Sequence, residues 1–383
     1  LFSAVKSIST PDDFTIVFNL SYADDNFLYA LTNPGAMPCD EEFFNLTNGK
    51  YGLDAKYLLC NGPFHVSKWT EKTSVKLAKN NEYNGESSVS PSSVTFYINN
   101  DDSEVADKMN SVTYDVAFLS SSQFSSIENK KDLNSVAVQN VTYSFIFNQN
   151  DNNYRNKNMR LAFCRSCDTS SLFDSQSDIS KADGIVPPSC KIGGEDYRNG
   201  NAAELLSYDE TLAKKNFNDA LLELGSSSVE TTILCTEQYE SFVKQMVQKL
   251  QKTLGVKFVS TVKVVSESDL EAAVNDGNYS VAFYPFKAKS SFAGEIIEGF
   301  DQNNIFGYES DVLSQKIRNI KNNSGSLEGE RSAVADAENY LVSEAVIMPV
   351  FYENSYFETS KKTSGIYFYS SADNVCFINA KKS

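Results

Sequence analysis

The sequence predicts a mixed α/β protein built from two lobes, and three observations lead there. The chain has 383 residues, about two to three times the length of a typical single domain. Hydrophobic residues make up 41% and charged residues 22%, a balance that supports an ordinary buried core and argues against disorder. Between residues 205 and 285 amphipathic helices alternate with short β-like runs, the order that lays helices over a mixed sheet.

The elements follow from local patterns. Residues 13–20 alternate apolar and polar at period two and read as a strand, as do 74–78 and 94–98. Residues 103–109 read as a short helix, and 114–118 and 143–147 as strands. A helix follows from Asn158, with Met159, Leu161, Ala162 and Phe163 available for packing. Residues 170–200 are rich in Ser, Asp, Gly and Pro and contain Pro187-Pro188, a loop region that suits a crossing between lobes. Residues 210–223 form an amphipathic helix: Leu212, Phe217, Ala220, Leu221 and Leu224 make its apolar side, and Gly225 terminates it. A strand at 229–234 leads to a helix at 239–254, with Phe242, Met246 and Leu250 at helical spacing. Further expected elements are a strand from 255, a helix at 270–276, a strand at 279–284, a helix at 334–345 and a strand at 346–357. The last residues return to β-like alternation.

Charge and composition exclude several function classes. Lys plus Arg is 34 and Asp plus Glu is 50, a net charge of −16. Nucleic acid needs a cationic footprint, and anionic lipid heads would repel this chain. One His weakens any scheme built on a histidine cluster. The apolar run at 345–351 is interrupted by Pro349 and falls well short of the roughly 18–20 residues of a membrane span. The chain opens on Leu1-Phe2-Ser3, which reads as a mature or cut form whose compartment no leader reveals. No G-x-S-x-G, P-loop or H-E-x-x-H pattern is present.

The seven cysteines are Cys39, Cys60, Cys164, Cys167, Cys190, Cys235 and Cys376, too sparse for a disulfide scaffold. Cys164 and Cys167 form a C-x-x-C pair, read either as a redox dithiol or half metal site, or as two small buried residues. A complete metal site would need a second such pair, which the sequence lacks.

Several short motifs, in order, carry a resemblance. The run Asn61-Gly62-Pro63-Phe64-His65-Val66-Ser67-Lys68-Trp69 resembles the G-P-Y/F signature of the family 5 extracellular solute-binding proteins. These are the oligopeptide-, dipeptide- and nickel-binding components of ABC importers. Val75-Lys76-Leu77 and Asn81-Glu82-Tyr83-Asn84-Gly85 are similar to the strand and turn that follow it, with Asn84 in place of a Trp. Asp12-Asp13-Phe14-Thr15-Ile16, Phe147-Asn148 with Met159-Arg160-Leu161-Ala162 and Asp168, Ala220-Leu221-Leu222-Glu223-Leu224-Gly225, and Ala337-Glu338-Asn339-Tyr340-Leu341 with Ile347-Met348-Pro349-Val350-Phe351-Tyr352 resemble further family segments. Together these cover nearly the whole chain.

The resemblance implies a type II periplasmic-binding-protein-like fold of two α/β lobes hinged about a cleft, with an N-terminal part of the large lobe missing. The implied domains are lobe I over 1–170, with a remnant of a small extra domain at 1–55, lobe II over 171–350, and a return to lobe I over 351–383. The implied function is capture of peptides or a similar small solute in the interlobe cleft and delivery to ABC permease subunits. The implied protein is a monomer with no cofactor, on the extracellular face of the membrane (lipid-anchored) or in the periplasm. A peptide-sensing receptor without transport is the alternative, and an enzyme using Cys164 and Cys167 a third reading.

The implied ligand-binding residues are Asn148, Tyr284, Phe286, Lys289, Tyr352 and Glu353. Asn148 matches a family Asn near the cleft, with a structural role at the strand end as the other reading. Phe286 stands where the family has a Trp and would preserve an aromatic wall or pack in the core. Lys289 stands where the family has an Asp. A cation there cannot anchor a peptide amine, so that site would favour a carboxylate, or Lys289 is a solvated loop residue. Glu353 is the candidate for the displaced acidic anchor, against simple surface exposure.

Overall fold

The computed structural model describes residues 4–21, 27–32, 34–98, 102–169, 173, 179–288, 291–301, 304–369 and 374–383. The chain forms two compact units: the first runs to Ala137 and resumes at Tyr356, and the second runs from Val138 to Ser355. The sequence reading expects changes of lobe at 170/171 and 350/351; the units divide at 137/138 and 355/356, inside two long strands. The cause is visible in the first of them, whose later residues are buried on both faces in the sheet of the second unit.

The first unit opens with an antiparallel hairpin of β1 (Val5–Asp12) and β2 (Thr15–Leu20). Helices α1 (Phe27–Ala30) and α2 (Glu41–Leu46) follow; Asp40 caps α2 by accepting from the Phe43 N–H at 2.7 Å. Strands β3 (Phe64–Thr70), β4 (Ser74–Lys79) and β5 (Ser93–Tyr97) make an antiparallel meander. Helix α3 (Asp102–Asn110), β6 (Val116–Ser120), α4 (Ser121–Ser125) and the start of β7 (Leu133–Phe147) enclose a small core of Ala106, Met109, Ala117, Leu119, Ile127 and Leu133. Ser120 and Gln123 form a reciprocal capping box at the start of α4.

The second unit begins with the rest of β7, then α5 (Asn152–Arg155) and α6 (Lys157–Ser166). Three short strands follow, β8 (Ile179–Lys181), β9 (Lys191–Ile192) and β10 (Glu195–Asp196). The alternating region comprises α7 (Glu210–Leu224), β11 (Val229–Cys235), α8 (Glu240–Leu254), β12 (Phe258–Val264), α9 (Glu267–Asn275) and β13 (Val281–Lys287). Then come α10 (Ala293–Glu298), α11 (Asp311–Asn322), α12 (Leu327–Ser343) and β14 (Ile347–Ser360). The sheet order is β12-β11-β13-β7-β14, with β8 also on β14. Strand β11 runs parallel to β12 and β13, whereas β13 is antiparallel to β7. Past Ser355, β14 continues in the first unit, where β6 is its neighbour. The C-terminal residues of that unit add the ladders β15 (Thr363–Ser364) with β18 (Lys381–Lys382) and β16 (Tyr367–Tyr369) with β17 (Asn374–Cys376).

Period-two alternation gives the second sheet two apolar faces. Phe145, Phe147, Ile233, Val281, Phe283 and Phe351 pack with Phe163, Phe217, Val243 and Met246 of α6, α7 and α8. Ile146, Leu234, Ala282 and Ile347 pack with Leu270, Ile297, Ile317 and Leu341 of α9 to α12. Each such side chain contributes about 1.5–3 kcal/mol relative to exposure. Asp209 caps α7 at the Leu212 N–H, and Gly225 ends it at φ +62°, a backbone that glycine adopts without strain.

Two buried charges fix the frame. Arg160 of α6 donates to the carbonyls of Tyr154, Arg155, Glu344 and Ala345 at 2.8–3.0 Å, tying α5 and α6 to the turn before β14. Glu338 of α12 accepts from the Ile185 and Val186 N–H groups, the Tyr197 hydroxyl and the Arg198 guanidinium, and so pins the 185–198 segment.

Candidate ligand-binding site

The candidate site lies at the end of the second unit's sheet where β7 enters it, β13 finishes and β14 passes Phe351. The antiparallel register sets Tyr284 opposite Ser144 and Phe286 opposite Thr142. These pairs share one face. Tyr284 is half-buried and meets Phe286 edge-on at 5.7 Å between centroids; Phe286 in turn stacks on Phe300 at 5.7 Å. Phe300 and Phe306 are buried, so the aromatic pair has a rigid backing. Burial, and then the charge of Glu271, raise the Tyr284 phenol above its ordinary range.

Glu353 is on the other face. The Tyr239 hydroxyl, at the start of α8, donates to Glu353 Oε1 at 2.6 Å. Gln238 Nε2 lies 3.4 Å from the same oxygen and 3.1 Å from the Tyr239 hydroxyl. Burial, then Tyr143 and the Glu353 charge, hold the Tyr239 phenol far above its ordinary range, so it stays a donor. Tyr143, Tyr239, Phe283 and Phe351 pack ring on ring behind the carboxylate, with Tyr143 and Tyr239 at 4.4 Å between centroids. Glu353 is half-buried, and its second oxygen has no partner among the described residues. A half-buried carboxylate held by one oxygen and free at the other is prepared to accept a cationic donor.

The remaining sequence candidates are placed differently. Tyr352 is 2% exposed. Its hydroxyl accepts from the Asp183 N–H at 3.0 Å and lies near the Gly184 and Val186 carbonyls, so it is engaged by the loop that Glu338 pins. Asn148 donates to the Gly277 and Tyr279 carbonyls at 2.8 and 2.7 Å and accepts from the Asn150 N–H at 3.0 Å. It sits six residues along β7 from Thr142, the partner of Phe286, roughly 20 Å away at the far end of the strand. Lys289 lies outside the described residues. The structure therefore brings Tyr284 and Phe286 together, sets Glu353 on the opposite face of the same strand ends, and separates Asn148 from all of them.

Sequence reasoning did not find Tyr239, Gln238 or Gln139. Gln139 Nε2 donates to Ser180 Oγ at 2.8 Å and Asn354 Oδ1 at 2.7 Å, joining β7, β8 and the residue after Glu353. Only the fold brings these positions together; Tyr239 and Glu353 are far apart in sequence.

The C-x-x-C pair is set in apolar surroundings. Cys164 and Cys167 are 2% and 4% exposed. Burial pushes the Cys164 thiol up to about 12 and Cys167 higher still, the opposite of an activated thiolate. A cavity of about 200 Å³ touches both, with Lys181, Leu206 and Met348 among its walls. Among the described residues no group of three or more His, Cys, Asp or Glu is placed to hold a metal ion, and no helix is long and apolar enough to cross a membrane.

The chain as a whole is similar to known proteins. The chain is 23% identical over 367 residues to the dipeptide-binding protein DppE of Bacillus subtilis (strain 168), covering 94% of this chain and 67% of that one. It superposes on Listeria monocytogenes OppA bound to peptide with a TM-score of 0.75 at 21% identity, covering 98% of this chain and 75% of that one. A dipeptide-binding protein from Pseudoalteromonas sp. SM9913, in complex with Met-Leu, gives a TM-score of 0.77 at 16% identity, covering 99% and 76%. These solved structures establish the two-domain solute-binding fold. The model of the bacterial extracellular solute-binding proteins, family 5, matches residues 1–306, and on that span, together with the fold, the chain belongs to this family.

Proposed function

We propose that the chain is the solute-capturing subunit of an ABC importer and that its ligand is a peptide whose α-ammonium group rests on Glu353. The observation that carries this reading is the half-buried carboxylate, oriented by Tyr239 and Gln238 and, among the described residues, free at one oxygen. An ammonium has three donors and a compact charge, which suits a single free carboxylate oxygen. Tyr284 and Phe286, on the other face of the same strand ends, supply an aromatic wall only where the ligand passes round the end of the sheet, and Lys289 favours a carboxylate, such as a peptide C-terminus. Tyr352 supports this arrangement through the loop it holds, whereas Asn148 holds a turn at the far end of the sheet.

The protein works as a monomer outside the cytoplasm, on the outer face of the membrane through a lipid anchor or in the periplasm. It hands its ligand to permease subunits without changing it chemically. Family membership and the peptide-binding relatives support this reading. The test is calorimetry of the purified chain, and of a longer version extended to the length of its relatives, against a peptide library. Binding of free peptides with recovery of intact ligand is the expected result. Failure of the extended protein to bind any peptide overturns the proposal.

A further inference from the structure

The cavity beside the C-x-x-C pair belongs to the second unit alone. Its volume is about 200 Å³, and its walls come from the end of α6, the end of β8, the loop before α7, the end of α12 and the start of β14. The lining is graded from inside to outside. Cys164, Cys167, Val342 and Val350 are buried. Leu206 and Met348 are half-buried, and Lys181 and Tyr208 are exposed at the rim. Burial keeps both thiols protonated, and a protonated thiol packs as a small apolar group. The interior is therefore an apolar slot that opens beside a cation.

The charges at the rim leave Lys181 over. Its ammonium has no partner among the described residues. Strand pairing sets it opposite Phe351, so its backbone is fixed on the sheet. Asp168, the carboxylate among the lining residues, is already engaged, and Lys249 Nζ donates to its carbonyl at 2.7 Å. Glu210, which the Tyr208 hydroxyl reaches at 3.4 Å, is paired with Lys214. An uncompensated cation at the mouth of an apolar slot complements an anion that carries a hydrocarbon tail. Tyr143, Tyr239, Phe351 and Glu353, which build the carboxylate site described above, do not line this cavity.

We propose that the cavity is a second binding site, separate from that carboxylate, for a short aliphatic carboxylic acid. The ligand's carboxylate rests on the Lys181 ammonium, and its chain lies among Cys164, Cys167, Leu206 and Met348. A cavity of about 150 Å³ with apolar walls houses benzene, so about 200 Å³ accommodates a chain of about six carbons. Binding is non-covalent, and the thiols serve as walls. This site stands whether or not the peptide reading does.

The test is calorimetry of the purified chain with hexanoate, butanoate and hexan-1-ol. Hexanoate should bind saturably at one site. It should bind about tenfold more tightly than butanoate, because each buried methylene is worth about fourfold, and several-fold more tightly than hexan-1-ol. Lys181→Met keeps the aliphatic stem and removes the charge. It should weaken hexanoate about 3- to 10-fold and bring it level with hexan-1-ol. Leu206→Trp fills the slot and should abolish binding of both, with a cooperative melt as the check on folding. Should that variant not fold, Lys181→Met and the chain-length series still decide. E353Q should bind hexanoate as the native chain does, and saturating hexanoate should leave the affinity for peptide within about twofold. Absence of saturable hexanoate binding overturns the proposal, as does butanoate binding equally well. So does unchanged binding in Lys181→Met or in folded Leu206→Trp, or competition between hexanoate and peptide. Failure of every peptide to bind sinks the reading above and leaves this one intact.

Discussion

Replacing Glu353 by Gln keeps the side chain's shape and its bond from Tyr239 while removing its charge. In the structure the carboxylate is half-buried, bonded at Oε1 by Tyr239 at 2.6 Å and open at the other oxygen. A unit charge about 4 Å away interacts by about 4 kcal/mol at the effective dielectric of a protein surface. Desolvation of both groups offsets part of this, leaving about 1.5–3 kcal/mol, the usual worth of a hydrogen bond to a charged group. The dissociation constant for a peptide with a free N-terminus should therefore rise about 10- to 100-fold. The assay is calorimetry with the tightest peptide from the library and its N-acetylated form. The native protein should discriminate against the acetylated peptide by a similar factor, and E353Q should treat the two nearly alike. Tyr239→Phe removes the orienting bond and should weaken binding several-fold while keeping the preference for the free N-terminus. If E353Q still prefers the free N-terminus as strongly as the native chain does, the ammonium rests elsewhere and the reasoning fails.

Three other perturbations test the frame. Glu338→Gln leaves the Arg198 guanidinium, 8% exposed, without its counter-charge, and should cost about 3–5 kcal/mol in urea unfolding of the second unit; a loss under 1 kcal/mol would refute the pinning role. Arg160→Lys keeps a charge but not the planar fork that reaches four carbonyls, and should cost about 2 kcal/mol by the same measurement. Cys164 has its thiol raised to about 12 by burial, so the unfolded chain ionises first as pH rises past about 8.5. Stability from this group is full below that pH and falls by about 1.4 kcal/mol per pH unit above it, a slope that Cys164→Ala should reduce in unfolding curves between pH 9 and 10.

How much of this was legible in the sequence differs from element to element. Helix α7 was legible in its stripe of Phe217, Ala220 and Leu221 and its Gly225 stop, but Leu212, expected on the apolar side, is exposed and Ala213 is buried instead. Strand β7 was legible only at 143–147: its first half carries Asn134, Ser135 and Gln139 and is largely exposed, so it lacks an apolar signal even though it continues the same strand. That hidden continuation is why the unit boundary falls in β7 and not in the Ser- and Pro-rich loop. Helix α11, absent from the elements expected above, carries a legible signal: Ser310 caps it and Leu313, Ile317 and Ile320 mark its buried stripe at helical spacing. The site was legible in part. Glu353, Tyr284 and Phe286 could be named from their positions, but no local pattern announces that Tyr239 and Gln238 meet Glu353, because that contact exists only once α8 has packed beside β14.

The parity of β14 has one more consequence. Phe351 and Glu353 share a face, and Tyr352 lies between them on the other. Substitution can alter either face alone, so the Glu353 carboxylate and the loop contacts of Tyr352 are separable as targets for redesign. Insertion or deletion of one residue within this stretch is another matter. It would exchange the faces, press a carboxylate into the loop pocket that Tyr352 fills and turn its phenol outward. This stretch of β14 is open to change by replacing letters, and closed to change by altering their number.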